Sequence, residues 1–176
     1  MQNLKAISSE AVPRALAKAE RYRLLHEPEE AESICLDILG TQPENQDALV
    51  TLLLVTTDQF GRRSEKGPGD ARGILGKLRG EYERHYYGGL ICERWVKAQL
   101  RDGAHPSVAS GWFLEALDDY EAAQAVSPPG NDDAVLRWNA CVRYLQRRPD
   151  LIEELEHSGS EGFSPQSGGF SDDRPI

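Results

Sequence analysis

The chain has 176 residues, of which 39% are hydrophobic, and it carries a formal net charge of −9. This length supports one domain with a buried core, while the negative charge opposes general nucleic-acid binding and adhesion to anionic membranes. The longest apolar run, residues 52–55, is too short to span a bilayer, and residues 1–14 lack the apolar core of a signal peptide. We therefore expect a cytoplasmic protein.

The first 57 residues predict three amphipathic helices separated by short breaks. The first helix should end near His26, because Pro28 disfavours helical geometry in the residue before it. The second should begin at Pro28 and end at Gly40, which we expect in a left-handed conformation. Asn45 is a good N-cap for the third helix. Helices joined by breaks this short must lie antiparallel.

The rest of the chain predicts five further helices, of which the last is short. After a loop at residues 58–70, we expect helices near 71–78, 87–102, 106–126, 132–146 and 151–156. The helix at 132–146 carries an apolar stripe formed by Val135, Trp138, Val142 and Leu145. Residues 157–176 contain mostly Gly, Ser, Pro and Asp, which cannot offset the entropy of ordering. We predict a helical domain at 1–156 and a disordered tail at 157–176.

Small and large packing residues in the first two helices follow the spacing of a known helical repeat. These positions are Ala19, Tyr22, Ala31, Cys35, Ile38 and Pro43. The pattern of residues 12–57 is similar to the tetratricopeptide repeat family, although Ala15 and Lys18 replace bulky residues usual early in the first helix. The resemblance implies an all-α fold, in which antiparallel helical hairpins stack as a short right-handed superhelix.

Two similar segments of the sequence support the repeat. The segment PENQDAL at 43–49 is similar to PGNDDAV at 129–135. The packing residues of the second helix also recur 85 residues further on, as Ala116, Tyr120 and Ala123. This offset exceeds two units of about 34 residues, so we expect the excess in loops at 58–70 and 99–108.

Local signatures of catalysis or of metal and cofactor binding do not occur in the sequence. The three cysteines form no CxxC pair, the four histidines show no HxH or HxxxH spacing, and no GxxxxGK[ST] or GxSxG motif is found. Cys35 and Cys141 fall on apolar helical faces, where buried thiols are expected. A Cys–His pair assembled only by the fold stays open. We predict a protein without enzymatic activity, metal or cofactor.

Charge is distributed unevenly along the chain. Residues 61–103 carry a net charge of +4, between segments of −5 and −6. Arg79 and Arg84 precede the adjacent pair Tyr86 and Tyr87, of which at least one is expected to face outward. With Arg94, these residues are the candidate site for an acidic or aromatic peptide. The alternative is that the basic middle is a solvated face beside acidic neighbours.

In stacks of this kind, the first helix of each hairpin lines the concave surface. The resemblance therefore implies a protein–protein interaction module, an adaptor or chaperone-like binder that is monomeric or homodimeric and holds a peptide or helix there. The two-carboxylate clamp of some family members is not implied, since Leu16 and Glu20 occupy the corresponding face. The alternatives are a structural homo-oligomerisation unit, and a small-molecule sensor or enzyme that uses the groove.

Overall fold

A computed structural model describes residues 3–61 and 65–160, the last four by their backbone only. A 3-10 turn, Ser9–Ala11, precedes the first helix. The eight α-helices are α1 Val12–Leu24, α2 Pro28–Thr41, α3 Gln46–Asp58, α4 Pro68–Leu75, α5 Glu81–Arg101, α6 Pro106–Ala125, α7 Asp133–Gln146 and α8 Pro149–Ser160. Since the described residues contain no strand, the all-α prediction is confirmed.

Several helix ends differ from the sequence prediction. Helix α2 continues through Gly40, and the left-handed residue is instead His26, with φ 61, in the turn between α1 and α2. Helix α5 begins six residues earlier than expected, after Gly80 in extended conformation. Helix α8 runs four residues into the range predicted to be disordered, and residues 161–176 lie outside the described part of the chain.

The two similar segments, 43–49 and 129–135, are further apart than two repeat units, and the additional residues lie in helices as well as in a loop. The loop predicted at 58–70 corresponds to the connection between α3 and α4, whereas within the second predicted range, 99–108, only residues 102–105 lie outside the helices. There α5 and α6, with 21 and 20 residues, extend the third hairpin, and the turn-forming residues 102–105 join them.

Each helix packs against the next one along the chain, α6 also contacts α8, and α5–α6 is the most extensive pair. The α5–α6 approach is tight because α5 presents two glycines to α6. A Cβ atom on Gly89 would lie 2.9 Å from ring carbons of Tyr120 and 3.0 Å from the carbonyl oxygen of Ala116. One on Gly88 would lie 2.7 Å from a carboxylate oxygen of Asp119.

The odd-numbered helices also contact one another, in chain order and in parallel. In the α1–α3 pair, Ala19 shares a buried cluster with Leu52, and Arg23, one turn further on, pairs with Asp58. In the α3–α5 pair, Gln46 at the start of α3 accepts a hydrogen bond from the backbone N–H of Arg79, just before α5. Phe60, just after α3, packs against Trp95 in the second half of α5.

The α5–α7 contact follows the same direction. The Tyr82 hydroxyl donates to Asn131 beside the start of α7, and Lys97 lies over the ring of Tyr144 near the end of α7. The start of α5 thus contacts the start of α7 and its later part contacts the end of α7, so the two helices run parallel. We call the surface shared by α1, α3, α5 and α7 the first-helix face, because each of these helices opens a hairpin.

Most of the residues that resemble the repeat are core residues in both copies. Fully buried side chains occupy seven of these positions, Ala19, Ala31, Cys35, Ile38, Ala116, Tyr120 and Ala123, whereas Tyr22 is half-buried and Pro43 is exposed. These seven predicted packing positions are confirmed, and the right-handed superhelix stays a prediction. Within residues 3–61 and 65–160, none of the helices combines the length and apolar character that a membrane-spanning segment needs.

The predicted stripe on α7 is rotated away from the core. Of its four residues only Leu145 is buried, and Trp138 is 37% exposed. Ala134 and Cys141 are buried instead. Arg137 projects from the same helix and comes within 3.8 Å of a carboxylate of α5. The helix therefore turns Ala134, Cys141 and Leu145 inward, and the other apolar side chains of the predicted stripe lie half-buried or exposed.

Candidate functional site

The two arginines predicted at the start of the basic segment make local contacts. The Arg79 guanidinium pairs with Glu44, and its backbone N–H donates to Gln46 at 2.9 Å. Nη1 of Arg84 donates to the carbonyl oxygens of Leu78 and Arg79, at 3.2 and 2.7 Å. The Arg84 cation therefore binds the turn between α4 and α5, whereas the Arg79 guanidinium forms an exposed ion pair with Glu44 in the connection before α3.

The predicted tyrosines lie against the helical stack. The rings of Tyr86 and Tyr87 meet edge to face at 5.1 Å, and Tyr86 stacks on Tyr82 at 5.7 Å. Burial raises the pKa of Tyr87 to about 12. Both side chains are half-buried, because the earlier start of α5 carries the pair into helical packing. The expectation that at least one of them faces outward is met only in part, by Tyr87, which lines a surface depression.

A shallow depression of about 340 Å³ lies where α3 meets the start of α5. Apolar side chains contribute part of its wall and polar side chains the rest. The lining residues are Gln46, Asp47, Val50, Leu78, Arg79, Gly80, Glu83 and Tyr87. The structure thus brings Arg79 and Tyr87 to one surface feature.

The fifth predicted residue, Arg94, lies two helical turns beyond Tyr87 and joins three helices. Its Nη1 donates to the carbonyl oxygen of Leu54 at 3.3 Å and to the Thr57 hydroxyl at 2.7 Å, and it pairs with Asp58. The same carboxylate accepts from Nε of Arg23 at 2.6 Å. Asp58 therefore lies between two arginines and connects α1, α3 and α5.

Glu93 forms a second junction, which joins α5, α6 and α7. Its side chain is only 3% exposed. The carboxylate accepts from Lys97 at 2.6 Å and from the Tyr120 hydroxyl at 2.6 Å, and Arg137 approaches to 3.8 Å. Burial acts to raise the pKa of Glu93, but these donors and charges outweigh it and the pKa is lowered. The buried carboxylate is therefore ionised at neutral pH.

Together the two junctions form a cationic row across the first-helix face. The row consists of Arg23, Arg94, Lys97 and Arg137, with side-chain exposures between 23 and 39%. Two carboxylates, Asp58 and Glu93, lie among them and leave a surplus of two positive charges. Half-buried cations in excess over their partners can bind an anionic group, because guanidinium and ammonium groups donate several hydrogen bonds each.

The row and the depression lie along one line of the surface. On α3, Val50 and Asp58 are two turns apart, and on α5 the same is true of Tyr87 and Arg94. With 1.5 Å of rise per residue, this places the apolar lining about 10 Å from the Arg94 cluster.

Sequence reasoning identified only Arg94 among the four cations of the row. Arg23 and Arg137 were missed because their carboxylate partners lie on other helices, and Lys97 was missed although its partner Glu93 lies one turn earlier on the same helix. The sequence did contain a signal that could have identified them. All four cations lie on the first helix of a hairpin, and these are the helices that were predicted to bind a partner.

A separate group of potential metal ligands lies on the α4–α5–α6 side. Ligand atoms of Cys92, Glu115 and Asp119 all lie within 4.8 Å of one another. Arg72 lies at the same place, paired with Glu115 and with Nη2 3.6 Å from the Cys92 sulfur. Burial, followed by the charge of Glu115, raises the pKa of this thiol to about 12. The group is thus an ion-pair cluster around a protonated thiol.

No family model matches the chain, and comparisons with curated proteins and with solved structures found no match.

Proposed function

We propose that the protein is a non-catalytic interaction module that binds an acidic segment of a partner protein along the first-helix face. The cationic row supports this proposal, since four half-buried cations share two carboxylates there. A carboxylate of a ligand would make charge-assisted hydrogen bonds with arginine, which are stronger than neutral ones. The row is a local exception in a chain of net charge −9, so it would select acidic partners by charge complementarity.

The geometry also suits a segment in extended conformation. The depression beside Val50 and Tyr87 would take an apolar side chain, and the Arg94 cluster would take an acidic one. The intervening distance of about 10 Å corresponds to about three residues of extended chain. A ligand with an apolar residue three positions from an acidic one would reach both places.

We further propose that the parallel succession of α1, α3, α5 and α7 is a tetratricopeptide-like superhelix and that the protein works in the cytoplasm. The small buried residues at the helix crossings support the first statement. The second is supported by Cys35, Cys92 and Cys141, which are free, buried thiols typical of reducing compartments.

The test is selection of random peptides displayed on phage against the full chain, followed by affinity measurement on synthetic peptides. We expect enrichment of Asp and Glu, and loss of binding in the Arg23→Glu and Arg94→Glu variants. The matched controls are Arg21→Glu, an exposed position on α1, and Arg143→Glu, an exposed position on α7. Selected peptides that lack acids, or that bind the row variants as well as the controls, would refute the proposal.

A structural homo-oligomerisation unit is a second candidate, supported by apolar side chains at both ends of the helical stack. Leu24 and Leu25 are exposed at the end of α1, and Leu136 and Trp138 are exposed on α7. Light scattering over a range of concentrations separates the two functions. A dimer that dissociates in a Leu136→Ser, Trp138→Ser variant would favour this second role.

A further inference from the structure

Side chains with metal-binding donors meet where α5 packs against α6. On α5, His85 and Cys92 are seven residues apart, and on α6, Glu115 and Asp119 are four residues apart. These spacings place each pair on one face of its helix. The two helices come close here, because a Cβ atom on Gly88 would lie 2.7 Å from a carboxylate oxygen of Asp119. The tight contact of α5 and α6 therefore holds donors from both helices together on rigid elements.

Three of these donors lie nearly as close together as the ligands of one small cation. Ligand atoms of Cys92, Glu115 and Asp119 are all within 4.8 Å of one another. In tetrahedral zinc sites, with bonds of about 2.1 Å to oxygen and 2.3 Å to sulfur, ligand atoms lie about 3.5 Å apart. Nδ1 of His85 lies 3.5 Å from a carboxylate oxygen of Asp119, the position of an outer partner that orients a ligand. Small side-chain rotations would complete the arrangement.

A positive charge already occupies this place. The Arg72 guanidinium pairs with Glu115, and its Nη2 lies 3.6 Å from the Cys92 sulfur. The side chains of Arg72 and Glu115 are 44 and 48% exposed. Ion pairs with this exposure contribute little to stability, so Arg72 can move away at small cost. Its departure would uncover the two ligand atoms that it contacts, which gives an ion a path of entry.

The charges at this place favour a divalent cation. Glu115 and Asp119 carry two negative charges, of which Arg72 neutralises one. Burial raises the pKa of Asp119, a hydrogen bond with His85 opposes this, and the charge of Glu115 raises it further. A divalent cation between the carboxylates would relieve their repulsion. It would also deprotonate the Cys92 thiol on coordination, despite the raised pKa of that thiol.

We propose that Cys92, Glu115 and Asp119 bind one zinc ion between α5 and α6, in exchange for the Arg72 guanidinium. A thiolate with two carboxylates suits zinc, whereas magnesium and calcium take oxygen ligands. Cys92 releases one proton as its sulfur binds the ion, and water takes the fourth position. This place lies on the α4–α5–α6 side of the molecule, so the inference does not rest on segment binding at the first-helix face.

The first arm of the test titrates Co²⁺, a spectroscopic substitute for zinc, into the full chain. A thiolate bound to Co²⁺ gives a sulfur-to-metal charge-transfer band in the near ultraviolet. We expect a band that saturates and that zinc abolishes by displacing the cobalt. It should be absent in Cys92→Ser and unchanged in Cys35→Ser and Cys141→Ser, the matched controls that remove buried thiols elsewhere. Absence of a saturable band in the wild type, or its persistence in Cys92→Ser, would overturn the site.

The second arm measures zinc affinity by competition with a chromophoric chelator, and circular dichroism verifies that each variant is folded. Glu115→Gln and Asp119→Asn should each weaken zinc binding by at least about tenfold, since loss of an outer partner alone costs that much. Asp118→Asn, at the exposed neighbouring position, is the matched control. Arg72→Ala should strengthen binding, because the competing cation is gone. Equal affinities in Asp118→Asn and Asp119→Asn would overturn the site, and weaker binding in Arg72→Ala would overturn the exchange.

Discussion

Glu93 and Tyr120 face each other across the tight contact of α5 and α6, and the tyrosine hydroxyl donates to the buried carboxylate at 2.6 Å. The bond connects the core to the first-helix face, because the same carboxylate holds Lys97 and attracts Arg137. Burial raises the pKa of Tyr120, and the charge of Glu93 raises it further. The phenol therefore stays a donor and the carboxylate an acceptor over the whole neutral range.

We predict that Glu93→Gln destabilises the protein by about 3 kcal/mol, because Lys97 and Arg137 lose their buried counter-charge. Tyr120→Phe should cost less, about 1 kcal/mol, since Lys97 still satisfies the carboxylate. Urea denaturation followed by circular dichroism measures both. Glu121→Gln on the exposed side of α6 is the control and should change stability by less than about 0.5 kcal/mol. Equal values for Glu93→Gln and Glu121→Gln would contradict the role of the network.

Stability should fall in acid through Glu93. Its folded-state pKa lies below the ordinary value of 4.5, so ionisation is favoured by folding. The corresponding stabilisation is fully present above the unfolded-state pKa and is lost as the pH falls through the folded-state pKa. Urea midpoints from neutral pH down into the acid range should therefore decrease more in the wild type than in Glu93→Gln. Parallel curves would show that other carboxylates carry the acid sensitivity.

Alanine substitution should have opposite effects on stability at two glycines, one at the close contact of α5 and α6 and one in open space on α4. Gly89→Ala should destabilise by about 1–3 kcal/mol, because the new Cβ meets the Tyr120 ring at 2.9 Å and overpacks the contact. Gly73→Ala in α4 has nothing within 4 Å and should stabilise by about 0.5–1 kcal/mol through helix propensity. Thermal and urea unfolding distinguish the two. A stabilising Gly89→Ala would mean that the helices lie further apart.

The three thiols should be unreactive in the folded state. Cys35, Cys92 and Cys141 are buried, and burial is the main reason that each pKa rises to about 12. Since the thiolate is the reactive form, we expect modification by a disulfide reagent to be at least about 100-fold slower than for free cysteine. Addition of denaturant should release three fast-reacting thiols. One fast thiol in native buffer would show local opening of the helix that carries it.

Much of the fold could be predicted from sequence because it depends on local physics. Proline and the side-chain cap of Asn45, which accepts from the N–H of Ala48 at 2.9 Å, mark helix starts without reference to the rest of the chain. Small residues at helical spacing, such as Ala19 and Ala31, identified the crossings correctly. Where a glycine signal competed with an apolar face, at Gly40, the packing of the whole helix prevailed.

The candidate site was predictable only in part. Arg94, Arg79 and Tyr87 were identified from charge and aromatic clustering, and the structure places the last two in one depression and Arg94 further along the same line. Their neighbours could not be found this way. Arg23 and Asp58 are 35 residues apart, and Arg137 lies still further from its partner, so only the helix stack unites them.

By itself, then, the sequence determined that the chain is helical, roughly where each helix lies and which small residues pack, since these follow from backbone preferences and periodicity. The tertiary structure alone decided how each helix is rotated. On α7, Ala134 and Cys141 face the core and Trp138 lies at the surface, while Arg137 on the same helix comes within 3.8 Å of Glu93. Polar partners across helices have no periodic signature, and their positions are set by which faces meet.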